Sequence, residues 1–182
     1  MELLKEQVWV KSVGEVGFNG GHSSYAFLSA RPDIEVISFD LGSHAYVKAA
    51  KRFIDQRFPG RHTLILGDSL QTVPAFTRKY PQQRFDMLFV DGGHTYAVAS
   101  ADLENLRSLG HESTIIVIDD LTPWNPWGQG PTQAWSEAQD KGLVRQTDLV
   151  RDGTQVSRIE GSGNDKIWAT GNYVFDGNTQ VT

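Results

Sequence analysis

The sequence predicts a doubly wound α/β domain built on a mostly parallel, seven-stranded sheet with helices on both faces. Three observations carry this expectation. Strand-like and helix-like runs alternate through most of the 182 residues, the pattern of successive βαβ units. The first strand runs through a glycine-rich turn straight into a helix-like segment. Each of the first five strands stops at a glycine or an aspartate: Gly17, Asp40, Asp68, Asp91 and Asp119-Asp120.

Taken in order, Val13 to Gly17 is the first strand, Phe18 to Gly21 the turn and His22 to Ala30 the helix behind it. Glu35 to Phe39 reads as the second strand, and Ala45 to Phe58 as an amphipathic helix stopped by Pro59-Gly60. Thr63 to Leu66 and the helix-like Leu70 to Tyr80 form the third unit. Phe85 to Val90, followed by a helix from Tyr96 to Leu109, form the fourth. The fifth strand, Thr114 to Ile118, is T-I-I-V-I, the most apolar β-branched run in the chain, as expected of a central strand covered on both faces. Leu121 to Pro131 holds three prolines and two tryptophans and is expected to be a loop throughout. Thr132 to Lys141 resumes as a helix capped by Gly142. Leu143 to Val150 is a sixth strand turning at Asp152-Gly153. Either Val156 to Ile159 or Lys166 to Thr170 supplies the last strand, with a polar, mobile loop at Gly161 to Asp165.

Length and composition bound the function. A chain of this size is one domain, 1–182, able to bury roughly 70% of its unfolded surface without staples. With 17 basic and 22 acidic residues its net charge is -5, which disfavours nucleic acid or an anionic membrane as partner and favours a small molecule. The absence of cysteine removes thiolate catalysis and Cys-ligated zinc. There is no leader-like apolar start and no run long enough to span a bilayer, so a cytoplasmic location is expected. A homodimer is the oligomer admitted.

The glycine turn suggests an anionic or nucleotide-like ligand, since glycines let backbone approach closely and the next helix offers free N–H groups. The dinucleotide fingerprint G-x-G-x-x-G nevertheless fails, because Asn19 and His22 stand at its second and third glycine places. The loop reads E-x-G-x-x-x-G, from Glu15 through Gly17 to Gly21. This resembles the first motif of the class I S-adenosylmethionine-dependent methyltransferases, whose fold is Rossmann-like. The resemblance implies that Gly17, Asn19 and Gly21 wrap the methionine end of S-adenosylmethionine and that Glu15 helps hold its ammonium group. It further implies that Asp40, 23 residues beyond Gly17, bonds both ribose hydroxyls, that Leu41 packs on the adenine face, and that Asp68 recognises the adenine amino group with Ser69 beside it. Asp91 closes the cofactor set. Any one aspartate after a strand is equally a turn former or a helix N-cap.

Asp91, Asp119 and Asp120 carry a second signal. Strands four and five lie about 4.8 Å apart, so carboxylates at their ends can close on one divalent cation. Oxygen donors without cysteine suit Mg²⁺ or Ca²⁺ better than zinc. The arrangement resembles the cation-dependent O-methyltransferases, both the catechol type and the type that modifies antibiotic sugars, over roughly Val13 to Trp124. Where the catechol type commonly has Asn as third ligand this chain has Asp120, as the sugar-modifying relatives do. His94 stands where the catechol type keeps a lysine, and imidazole can take a substrate proton near neutral pH; His94 capping a helix is the plain alternative. Trp124 and Trp127, just after the acidic pair, are expected to flank the acceptor.

The function implied is transfer of a methyl group from S-adenosylmethionine to a hydroxyl of a small sugar or phenolic diol held on a cation. Three alternatives stay open: a metal-independent methyltransferase, a nicotinamide oxidoreductase on a similar fold, and a non-catalytic partner subunit.

Overall fold

A computed structural model describes residues 2–175. In chain order the elements are α1 (Glu2–Glu6), β1 (Ser12–Val16), α2 (His22–Ala30), β2 (Glu35–Asp40), α3 (Val47–Arg57), β3 (His62–Leu66), α4 (Ser69–Lys79), β4 (Met87–Val90), α5 (Tyr96–Leu106) with a 3₁₀ turn at Arg107–Leu109, β5 (Ile115–Ile118), α6 (Gln129–Asp140), β6 (Val144–Arg151), β7 (Thr154–Gln155) and β8 (Ile167–Tyr173). They form one sheet of order β3-β2-β1-β4-β5-β8-β6-β7. β1 to β5 are parallel, whereas β8 runs antiparallel between β5 and β6.

Strand residues alternate between two cores. Val13, Val36, Met87, Phe89 and Val117 pack with Leu4, Leu28, Val47 and Ile54 of α1 to α3. Leu88, Val90, Ile116, Ile118 and Ala169 point the other way, onto Val73 and Phe76 of α4, Leu103 and Leu106 of α5 and Trp135 of α6. Burial on both faces is why the central strands are continuous apolar runs, and it makes the sheet doubly wound as expected. Among the described residues no helix is long and apolar enough to cross a membrane.

Four expectations need adjustment. The sheet has eight strands, because Asp152 (φ 48°) and Gly153 (φ 82°) turn the chain into the two-residue β7. The last main strand is Ile167–Tyr173; residues 156–159 stay irregular. α6 begins three residues before the predicted Thr132, taking in Pro131, because a proline in the first turn removes an N–H that has no helical partner anyway. The segment expected to be a mobile loop is tied down: Asp165 accepts from the Ser162 N–H at 3.0 Å, and the Gly163 carbonyl accepts from Trp124 and Asn125.

The strand order reverses between β1 and β4, and in open α/β sheets the ligand crevice lies beyond the carboxyl ends of the strands at such a point.

Candidate active site

The crevice is made possible by one glycine. Gly17 follows β1 with φ 100°, and a Cβ there would fall 1.8 Å from the carbonyl oxygen of Asp91. Only a residue without a side chain lets the ends of β1 and β4 approach so closely. The turn then closes through the Gly21 N–H to the Phe18 carbonyl, 2.7 Å, and α2 starts at His22 with no side chain capping it. Its first N–H groups are therefore free for a ligand.

Asp40 ties the two loops at the crevice mouth together. Its Oδ2 accepts from the Asn19 N–H at 2.8 Å and its Oδ1 from the Gly42 N–H at 2.7 Å. Tyr46 donates its hydroxyl to Asn19 Oδ1 at 2.5 Å. Leu41, 67% exposed, stands beside this clamp. A backbone cradle that a Cβ would fill, a half-buried carboxylate with lone pairs to spare and an exposed apolar side chain fit a nucleoside cofactor.

Glu15 is bonded from within the fold. It is 0% exposed and lies beneath the loop, where Ser23, Ser24 and Ser38 all donate to its carboxylate. Ser38 Oγ is also 2.9 Å from His62 Nε2, and the His62 ring stacks on Phe18 at 5.0 Å. Burial raises the Glu15 pKa against the opposing pull of the three serines. The side chain thus braces the glycine loop and helix α2 from behind. Sequence spacing gives a residue's place on the strand but not which competing hydroxyls the fold brings to it.

At the β3 end, Asp68 is the N-cap of α4: its Oδ1 accepts from the Leu70 N–H at 3.0 Å. Ser69 is half-buried next to it.

The acidic cluster converges, with a change of membership. Ligand atoms of Asp91, His94 and Asp120 all lie within 4.8 Å of one another, and His94 Nε2 donates to Asp120 Oδ2 at 2.9 Å. Asp119 borders the same pocket, but its Oδ1 accepts from the Asp120 N–H at 2.8 Å and it is not one of the converging three. Asp120 holds a left-handed backbone, φ 59°, which costs a non-glycine residue roughly 1–2 kcal/mol. Burial and then the charges of Asp119, Asp120 and Glu15 push Asp91 up to about 8. Burial also raises Asp119, and the hydrogen bond to Asp120 raises His94. Carboxylates crowded until they resist ionisation are a donor set that a divalent cation fits, with the His94 imidazole at their edge.

Beside the cluster opens a cavity of about 390 Å³ lined by Thr122, Asn125, Trp127, Asn164, Asp165 and Lys166 together with the three aspartates. Of the two tryptophans, Trp127 lines it and is 48% exposed. Trp124 is half-buried against the core and donates its Nε1–H to the Gly163 carbonyl at 3.3 Å, so it acts as a strut. Sequence reasoning missed Asn164, Asp165 and Lys166, because the β7–β8 connection returns to this site from the far end of the chain.

Residues 15–121, more than half of the chain, match a family described as a methyltransferase domain. No curated protein matches the chain by sequence. Among solved structures, the O-methyltransferase from Bacillus cereus in complex with SAH is similar at TM-score 0.69 and 17% identity, over 94% of this chain and 77% of that one. The TDP-rhamnose 3'-O-methyltransferase CalS11 of calicheamicin biosynthesis is similar at TM-score 0.67 and 19% identity, over 92% and 74%. SAH-bound Podospora anserina methyltransferase PaMTH1 gives TM-score 0.68 and 16% identity, over 96% and 76%. At such identities the likeness is one of fold.

Proposed function

The chain belongs to this methyltransferase-domain family, and we propose that it transfers the methyl group of S-adenosylmethionine to a hydroxyl of a small polar acceptor, a sugar or a phenolic diol, seated beside a divalent cation. The observation that carries the reading is the convergence of Asp91, His94 and Asp120 at the ends of two adjacent strands, between the glycine loop and the 390 Å³ polar cavity. Neighbouring folds named O-methyltransferases, one of them in complex with SAH, support a hydroxyl acceptor and this cofactor.

S-adenosylmethionine brings a methyl group already activated on a sulfonium, so the protein's work is to align donor and acceptor and to make the hydroxyl nucleophilic. Gly17 to Gly21 and the N-terminus of α2 cradle the amino-acid end. Asp40 accepts from the ribose hydroxyls, and Leu41 covers a face of the adenine. Asp91, Asp120 and the neighbouring Asp119 would hold Mg²⁺, which when bound lowers the pKa of a coordinated hydroxyl. His94 takes the hydroxyl proton as the oxygen forms its bond to the methyl carbon and the sulfur departs with its electron pair. Trp127 walls the acceptor and helps exclude water.

The 2.9 Å ion pair favours a second reading within the same activity. With Asp120 holding His94 Nε2, the pair is a ready-made carboxylate–imidazole base that needs no cation. Methyl transfer measured in excess chelator, then with Mg²⁺ restored, separates the two. Loss and recovery support the cation; undiminished transfer in chelator leaves only the dyad.

A further inference from the structure

The glycine loop holds the one Asn–Gly step in the sequence, Asn19-Gly20. Phe18 to Gly21 is a β-turn closed by the Gly21 N–H on the Phe18 carbonyl at 2.7 Å. Asn19, the first of its two central residues, has φ 47°, whereas Gly20 is not among the glycines of positive φ. A positive φ at the first central place alone marks a type II′ turn, in which the ψ of that residue is about −120°. At such a ψ the backbone nitrogen of Gly20 stands nearly eclipsed with the Cβ of Asn19, as the two are in a five-membered succinimide ring. Type II′ turns ordinarily put glycine at this place, so the asparagine is held by the fold in a shape it does not favour.

The atoms that would close such a ring are otherwise free. Among the described residues the Gly20 N–H donates to nothing, and neither does the Asn19 side-chain nitrogen. Asn19 Oδ1 accepts from the Tyr46 hydroxyl, a donor placed where negative charge gathers when the amide carbon is attacked. Asn19 is exposed, so water reaches it, and Gly20 has no Cβ to hinder its nitrogen. The other described asparagines lack this set: Asn125 precedes a proline, which has no N–H, Asn105 lies inside α5, and Asn164 and Asn172 precede Asp165 and Tyr173, whose side chains crowd the attacking nitrogen.

We propose that Asn19 is a self-modification site whose product disables the glycine loop. The Gly20 nitrogen loses its proton to solvent hydroxide and bonds to the side-chain carbonyl carbon of Asn19. The carbon–nitrogen bond of that amide breaks, and its nitrogen takes up a proton from water and leaves as ammonia. The succinimide adds one further water and opens to aspartate or isoaspartate. The new carboxylate stands beside Asp40, whose Oδ2 holds the Asn19 N–H at 2.8 Å, and the isoaspartate form also lengthens the main chain of the turn by one atom. On the reading of this loop as the S-adenosylmethionine cradle, on which the consequence rests, either product weakens cofactor binding as the protein ages.

Peptide mapping by mass spectrometry, on wild-type protein aged in mildly alkaline buffer, tests the chemistry without any cofactor. Aspartate and isoaspartate should accumulate at position 19 and not at Asn105, Asn125, Asn164 or Asn172, and faster than in a free peptide spanning Gly17 to His22. Gly20→Ala, whose methyl would meet only the His22 ring, should slow the reaction at least about tenfold, and Tyr46→Phe at least about threefold. A native rate at or below that of the peptide overturns the proposal, as does a rate indifferent to both substitutions. The modified protein, separated by ion exchange, should bind S-adenosylhomocysteine at least about tenfold more weakly than fresh protein in calorimetric titration; equal affinity overturns the effect on the loop. Fresh protein that does not bind S-adenosylhomocysteine defeats the cofactor reading, while the mapping still decides the modification.

Discussion

Asp40→Ala separates cofactor binding from folding more cleanly than any other change at the crevice. In the protein its two oxygens accept from the N–H groups of Asn19 and Gly42 at 2.8 and 2.7 Å. Both donors lie at the crevice mouth, where water can replace the lost carboxylate, so the cost to stability should stay below about 1 kcal/mol. Cofactor binding has no such compensation, because ribose hydroxyls lose a charged acceptor, a bond type worth about 1.5–3 kcal/mol. The Kd for S-adenosylhomocysteine should rise roughly 10- to 150-fold, read by isothermal titration, while the melting temperature moves little. Affinity unchanged in a protein that melts normally would refute the ribose assignment; a collapse of the melting temperature would show instead that the Asn19–Asp40–Gly42 clamp is a folding element.

Three further expectations concern other parts of the site. If the converging acids hold a cation, Asp91→Ala should abolish Mg²⁺-stimulated transfer and Asp120→Asn should be milder, since an amide oxygen still ligates; transfer in chelator that survives Asp91→Ala and is lost in Asp120→Asn argues for the dyad. Trp124→Ala should cost about 2 kcal/mol in urea unfolding, less than the roughly 3–5 of a fully buried ring, whereas Trp127→Ala should keep its stability and raise the acceptor KM; the reverse pattern would exchange their roles. His62 is held down to about 4 by burial and then by Lys51, below its unfolded value of about 6.5. The unfolded chain therefore binds the extra proton, and His62's contribution to stability should be lost as pH falls from about 6.5 toward 4. Glu15, raised in the fold, works in the opposite direction, so the test is the difference between wild type and His62→Gln: urea midpoints that converge at acidic pH support the assignment, and parallel curves defeat it.

How much of this was legible beforehand follows from what each signal reports. The five strand ends were readable because a β-branched run followed by Gly or Asp is a local pattern, and all five land at one edge of the sheet. The start of α6 was not, since proline rules out a helix interior but not a first turn, and Pro131 occupies the latter. Glu15 was placed on the right strand without its contacts: Ser23, Ser24 and Ser38 come from two other elements, and nothing in the spacing shows that they donate to it. In the acidic cluster Asp91 and Asp120 were found from strand adjacency. The ion pair that brings His94 into the group depends on the left-handed turn at Asp120, which no residue pattern announces. Lys166 escaped for a topological reason, because β8 inserts antiparallel beside β5 and delivers its leading residues to a site coded forty-odd residues earlier.

The carbonyl of Gly163 receives two donors from the opposite side of the acceptor cavity, Trp124 Nε1 at 3.3 Å and Asn125 Nδ2 at 3.1 Å. The tryptophan loop and the β7–β8 connection are therefore one jaw, not two independent lips. For anyone wishing to retune this enzyme toward a bulkier acceptor, lengthening or trimming either segment alone would drag the other out of place. Room has to be made with side chains that line the cavity without fastening the jaw, such as Trp127, Asn164 and Lys166.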